Sequence, residues 1–249
     1  VFVDVFRSFD IDVSISDARQ FMGLAKKDHI RSMCELPHIS RAWEETYHRK
    51  PDENDVDALY EKTAPLMVDA IAGHCDPIEG VIDTIEGLRA QGIKIGSSTG
   101  YVKEMMDVLV PSAKERGYHP DAIFCSSDVP DGRPFPWMCY LNAISLGVYP
   151  MESMVKVGDT IADIEEGLNA GMWTIGITKT GNELGLTKDQ VNALDPGELS
   201  EKLAGIENRF IQAGAHYVLE KTADIQPVIE AISQRLKTGE QPLQTLLNK

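Results

Sequence analysis

The chain has 249 residues, with 24 Lys and Arg against 39 Asp and Glu, a formal charge of −15 at pH 7 and 43% hydrophobic residues. That composition is globular, and the length suits one large domain or a core with a smaller module. The acid excess, with no stretch that concentrates Lys and Arg, excludes a nucleic-acid binder, and no apolar run approaches the ~20 residues that cross a bilayer. Four cysteines without CxxC spacing (Cys34, Cys75, Cys125, Cys139) read as reduced thiols. With no leader-like start, they lead us to expect a cytoplasmic protein.

Residues 1–75 carry helical periodicity and almost no strand-like run, which predicts a small all-helical domain. Phe2, Val5, Phe6 and Phe9 make its first helix amphipathic, which suits a dimer contact and packing within the domain equally. A second helix is expected to start at Ser16-Asp17, with Ala18, Phe21, Met22 and Leu24 following at helical spacing. Pro37 breaks the next helix, and a longer one fits 53–72, with Val56, Leu59, Tyr60, Ala64 and Met67 on one face.

Residues 76–249 change texture. A helix at 80–91 leads to an apolar run at 93–98, a helix at 102–116 to a run at 122–125, and a Pro/Gly-rich loop to a helix at 137–146. A run at 154–158, a helix at 164–170, a run at 172–177 and a last strand candidate at 216–219 follow, and the tail 238–249 is polar. Short apolar runs alternating with helices predict an α/β domain with a doubly wound parallel sheet. Ligands of such sheets bind beyond the carboxyl ends of the strands.

Three junctions there carry chemistry. Ser97-Ser98-Thr99-Gly100-Tyr101 offers hydroxyls and backbone N–H groups to a phosphoryl oxygen, or a plain helix cap. Gly132-Arg133-Pro134-Phe135-Pro136 offers a cation in a rigid loop. Val157-Gly158-Asp159-Thr160-Ile161-Ala162-Asp163 sets two carboxylates four residues apart at a helix start, a pattern that suits Mg²⁺ between oxygen ligands.

In this order, spanning 80–180, the three junctions resemble the haloacid dehalogenase superfamily. The resemblance implies a Rossmann-like core, a helical cap over 1–75 with the core at 76–249, and Mg²⁺-dependent phosphoryl transfer through an aspartyl-phosphate. Further stretches narrow it: Met22-Gly23-Leu24-Ala25-Lys26-Lys27-Asp28-His29-Ile30-Arg31, the junctions around Thr99 and Arg133 (most of the superfamily carries Lys at the latter), and Asn208-Arg209-Phe210 with Gly214-Ala215-His216. Together these are similar to the phosphonoacetaldehyde hydrolase (phosphonatase) family. That likeness implies a Schiff base on Lys26, a Mg²⁺ ligand in Asp159 with Asp163 supporting the metal shell, and phosphoryl binding by Thr99 and Arg133. Met22, Gly23, His29 and Tyr101 would line the cap–core seam, His29 would exchange protons with Lys26, and the protein would pair as a homodimer through its cap. Another capped phosphatase or phosphomutase, or an inactive binding module, stays open as an alternative.

Cleaving a P–C bond expels a carbanion unless a neighbouring aldehyde has condensed with an amine, whose protonated imine accepts the electron pair. Such an amine must be neutral, so its pKa is expected below the ordinary ~10.4. Burial and the cations Lys27 and Arg31 would lower it, and Asp28 would oppose them. The superfamily nucleophile is the first Asp of Asp-x-[Asp/Ala]-Gly-Thr, closing a strand ahead of the cap, and no such stretch occurs. We therefore expect the first core strand to be absent from this chain, upstream of Val1. Phe9-Asp10-Ile11-Asp12-Val13-Ser14 imitates the motif but reads as a turn between the first two cap helices.

Overall fold

The structure is a computed structural model and describes residues 1–242. Five helices come first: α1 (Phe2–Arg7), α2 (Ile15–Arg19), α3 (Lys26–Glu35), α4 (Pro37–Tyr47) and α5 (Glu53–Ala72). Phe2, Val5, Phe6, Ile11, Ile30, Met33, Ile39, Trp43, Val56 and Leu59 interlock as their shared core. The apolar face of α1 is thus used inside the helical layer. Residues 8–13 form a turn, with Asp10 in the left-handed region (φ 55°) and Ile11 and Val13 buried.

Two helix starts differ from expectation for one reason. The α2 start moves back to Ser14, whose hydroxyl accepts from Asp17 N–H while the Asp17 carboxylate accepts from Ser14 N–H. This reciprocal cap satisfies two donors that a start at Ser16 would leave open. The helix ends at Arg19, so Phe21, Met22 and Leu24 lie in a turn that Gly23 completes at φ 95°. Pro37, as expected, separates two helices: it opens α4 at a position where its missing N–H costs nothing.

The α/β part contains α6 (Val81–Ala90), β1 (Gly96–Thr99), α7 (Lys103–Glu115), β2 (Ala122–Cys125), α8 (Trp137–Leu146), β3 (Val155–Gly158), α9 (Ile161–Asn169) and β4 (Trp173–Ile177). It ends in α10 (Lys188–Ala193), α11 (Pro196–Gln212), β5 (Tyr217–Leu219) and α12 (Gln226–Lys237). Every pairing is parallel, as the alternation predicted, but the strands form two sheets, β1–β2 and β3–β4–β5. Among the described residues no strand pairs with both β1 and β3. Side chains cross there instead: Lys156 Nζ of β3 donates to Ser98 Oγ of β1 at 2.8 Å.

The α9 start moves three residues before the expected 164, because Thr160 and Asp163 form the same reciprocal cap. The two parts meet along α5. Its first half packs in the helical layer, while Met67, Val68 and Ile71 pack with Tyr101 and Met105. No helix among the described residues is long and apolar enough to cross a membrane.

Candidate active site

Lys26 is the first residue of α3, presented by the turn of residues 20–25, and its side chain is buried at 3% exposure. Its Nζ lies 5.2 Å from the centroid of the Tyr101 ring, which belongs to the loop after β1. Burial, with the Arg133 guanidinium nearby, pulls the amine down to a pKa of about 8. The positive end of the α3 dipole acts in the same direction. The lowering and its main source, burial, match expectation, but the contributing cation does not. Lys27 is spent on Asp57, and Arg31 on Asp28 and Glu53, so the cation that bears on Lys26 is Arg133, 107 positions later in sequence.

His29 lies one turn further on α3, fully buried, with Phe2 stacked on its ring at 4.3 Å. Its Nε2 sits 2.8 Å from Ala18 O and so carries the proton, while Nδ1 is buried without a partner. Burial and the neighbouring Lys26 pull its pKa to about 4. The imidazole is therefore neutral at pH 7, with an open acceptor at Nδ1.

The turn before Lys26 is pressed onto three core loops. A Cβ on Gly23 would stand 2.5 Å from Thr160 Oγ1, one on Gly100 2.6 Å from Leu24 O, and one on Gly132 3.3 Å from Ala25 Cβ. Gly23 O also accepts from Arg133 Nη1 at 3.4 Å. Met22 is half-buried in the same turn. Glycines on both sides thus let the cap turn close onto the core loops, backbone against backbone at Gly100, and carry Lys26 down to the strand ends.

On the core side, Thr99 ends β1, and its hydroxyl accepts from Tyr101 N–H at 3.2 Å. The Arg133 side chain is buried, and its Nη2 donates to Ser98 O at 2.6 Å. Burial alone would depress the guanidinium's pKa, but Asp163 and Glu166 more than offset that and raise it. Asp163 fills the space that Gly158 leaves open and pairs with Arg133 Nε at 3.2 Å and Lys156 Nζ at 3.1 Å. Against the effect of burial, these cations and the Thr160 hydroxyl hold its carboxyl well below the usual range. Asp159 Oδ2 accepts from Asn182 N–H at 2.9 Å, yet no described cation pairs with it. Burial and the Asp163 charge push its pKa up.

The family profile described as haloacid dehalogenase-like hydrolase matches residues 2–177. A phosphonoacetaldehyde hydrolase of Syntrophobacter fumaroxidans is 51% identical over 241 residues, 97% of this chain and 87% of the relative. The chain belongs to the phosphonoacetaldehyde hydrolase family of the haloacid dehalogenase-like hydrolases. A member from Nitratidesulfovibrio vulgaris is 46% identical over 97% of this chain and 86% of its own. The crystal structure of a phosphonoacetaldehyde hydrolase-like protein from Oleispira antarctica superposes with a TM-score of 0.94 at 39% identity, over 97% of this chain and 87% of that one. The α/β architecture is that of this hydrolase family.

Arg133 meets Gly23 O and Asp163, Thr160 stands between Gly23 and Asp163, and Lys26, carried by the same turn as Gly23, lies over Tyr101, with Thr99 and Asp159 at the ends of their strands. The Lys26 amine and the Arg133 guanidinium are the two buried cations that this turn and these loops bring near one another. The described residues hold no cluster of three His, Cys, Asp or Glu side chains. Asp159 nevertheless fits a metal: its carboxyl is buried, lacks a cation partner and faces a second carboxylate, a balance that a divalent cation with oxygen ligands would restore. Two charged residues escaped the sequence reading. Lys156 and Glu166 complete a buried quartet with Arg133 and Asp163. Their signal was a lysine inside the run Met154-Val155-Lys156-Val157-Gly158, where a strand covered on both faces has no room for an unpaired charge.

Proposed function

We propose that this protein hydrolyses the P–C bond of phosphonoacetaldehyde, giving acetaldehyde and phosphate. The observation that carries the reading is Lys26: a buried amine, lowered to a pKa of about 8, at a seam whose other wall holds Arg133. An ordinary phosphate monoesterase has no use for a buried amine whose pKa is drawn down to about 8.

The Lys26 amine adds to the aldehyde carbon and, with loss of water, forms a protonated imine. His29 Nδ1, an open acceptor on the same helix face, takes and returns the protons of that condensation. Arg133 and Thr99 hold the phosphoryl oxygens. When the P–C bond breaks, its electron pair moves into the imine to give an enamine. Protonation of the enamine carbon and hydrolysis release acetaldehyde and free Lys26. Asp159, with Asp163 behind it, would hold Mg²⁺, which supplies charge neutralisation at the phosphoryl group. The phosphoryl acceptor in this reading is an aspartate that becomes an aspartyl-phosphate, which water then hydrolyses to free phosphate and the carboxylate, and it is not among the described residues. We also propose a cytoplasmic homodimer joined through the cap.

Borohydride trapping tests the reading. With phosphonoacetaldehyde or acetaldehyde present, reduction is expected to add one alkyl group at Lys26, located by peptide mass spectrometry. An adduct elsewhere, or none, refutes it.

A further inference from the structure

Arg133 can serve a phosphoryl group only through the part of its guanidinium that is not already engaged, and Glu166 decides which part that is. We propose that Glu166 is a positioning residue for phosphoryl binding: it grips the Nε side of Arg133 and turns the two Nη groups toward the seam. The proposal rests on the reading above that Arg133 holds the phosphoryl oxygens.

Glu166 lies on α9, one turn beyond Asp163, and is completely buried. Its Oε2 accepts from Arg133 Nε at 3.0 Å, from Lys156 Nζ, and from Ser98 Oγ at 3.4 Å. Its Oε1 is buried with no partner. Arg133 Nη1 and Nη2 meanwhile point at Gly23 O of the cap turn and at Ser98 O and Oγ at the end of β1. A guanidinium presents two edges to an oxyanion, and here Glu166 Oε2 accepts the Nε hydrogen bond of one edge, with Asp163 Oδ1 3.2 Å from the same nitrogen. The two Nη groups are left with only the Gly23 and Ser98 carbonyl oxygens and the Ser98 hydroxyl, partners that an oxyanion outcompetes.

The quartet also explains why a carboxylate is used rather than a neutral acceptor. Arg133 and Lys156 bring two positive charges into the interior, and Asp163 and Glu166 return two negative ones. Asp163 is already bound by its cap to Thr160, so Glu166 is the partner with its hydrogen bonds concentrated on the cations. A purely structural counter-ion would serve equally well with Lys156 and Glu166 both removed, and this separates the two roles.

The test uses inorganic phosphate as probe, titrated by calorimetry, with acetaldehyde trapping at Lys26 as the control. In Glu166→Gln, phosphate affinity is expected to fall at least about tenfold, because a charged hydrogen bond that fixes the guanidinium is replaced by a neutral one. KM for phosphonoacetaldehyde should rise by a similar factor, while the acetaldehyde adduct at Lys26 stays within about twofold. The charge-balanced Lys156→Met/Glu166→Gln variant should bind phosphate as weakly as the single variant. Phosphate affinity within about twofold of wild type in either folded variant overturns the proposal. If the single variant does not fold, the double variant decides by the same limits. If neither folds, Glu166 is a structural counter-ion and the proposal fails. Absence of the adduct in the wild type would instead overturn the P–C reading, whatever Glu166 does.

Discussion

At the scale of single residues, Lys26 combines a chemical asset with a cost to the fold. A lysine with a folded pKa of about 8 against 10.5 ordinarily is disfavoured in its charged form by burial. The unfolded chain binds the extra proton, so folding stability rises with pH between those two values and the full cost is felt below about 8. Replacing the lysine by methionine keeps the stem and removes the charge. Lys26→Met is expected to stabilise the protein by about 1–2 kcal/mol at pH 7 and to abolish borohydride trapping. Urea denaturation from pH 7 to 10.5 checks it: the gain should shrink as pH rises, and a gain independent of pH would disprove the assigned cause. Lys26 itself was legible from its surrounding motif. Its electrostatic partner was not, because Arg133 reaches it only through folding, whereas the charges adjacent in sequence, Lys27 and Arg31, are taken up by Asp57, Asp28 and Glu53.

At the scale of elements, the seam depends on how closely one turn of the cap approaches three core loops. Gly100 has no room for a side chain, since a Cβ there would meet the Leu24 carbonyl at 2.6 Å. That obstacle is backbone and must move as a unit. Gly100→Ala is expected to lift the 20–25 turn, slow trapping at Lys26 at least about tenfold and move the Lys26 pKa back toward its ordinary value as burial is lost. The pH profile of reductive alkylation reads both effects, and an unchanged profile would show that the turn does not need this approach. Periodicity sufficed to find α5, α6, α7, α8 and the five strands, because each carries one regular hydrophobic stripe or lies at a short apolar run in the sequence. It misplaced the starts of α2 and α9, where a side-chain cap and not hydrophobic spacing sets the first turn. Division of the strands into two sheets was equally invisible, since strand order is decided by contacts between distant segments.

At the scale of the whole molecule, acidification pulls in two directions. A formal charge of −15 at pH 7 means that protonating surface carboxylates relieves self-repulsion and favours the compact state. The buried site groups do not act in concert with this. Asp159, with its raised pKa, gains as pH falls. Asp163, held low by Arg133 and Lys156, loses stability as pH drops below the ordinary carboxylate range. His29 acts earliest. Its folded pKa of about 4 lies below the ordinary 6.5, so the unfolded chain takes up the proton first and stability declines as pH falls from 6.5 toward 4. At 1.36 kcal/mol per unit that loss amounts to about 3 kcal/mol at most, enough to outweigh scattered surface effects of a few tenths each. His29→Gln retains a donor for the Ala18 carbonyl and removes the titration. Unfolding free energies of wild type and His29→Gln, measured by urea from pH 4 to 8, should differ by an amount that is constant above pH 6.5 and shifts in favour of the variant below it. Parallel curves across the range would mean that the buried imidazole accepts its proton without cost, and the neutral form on which its proposed proton exchange with Lys26 depends would lose its support.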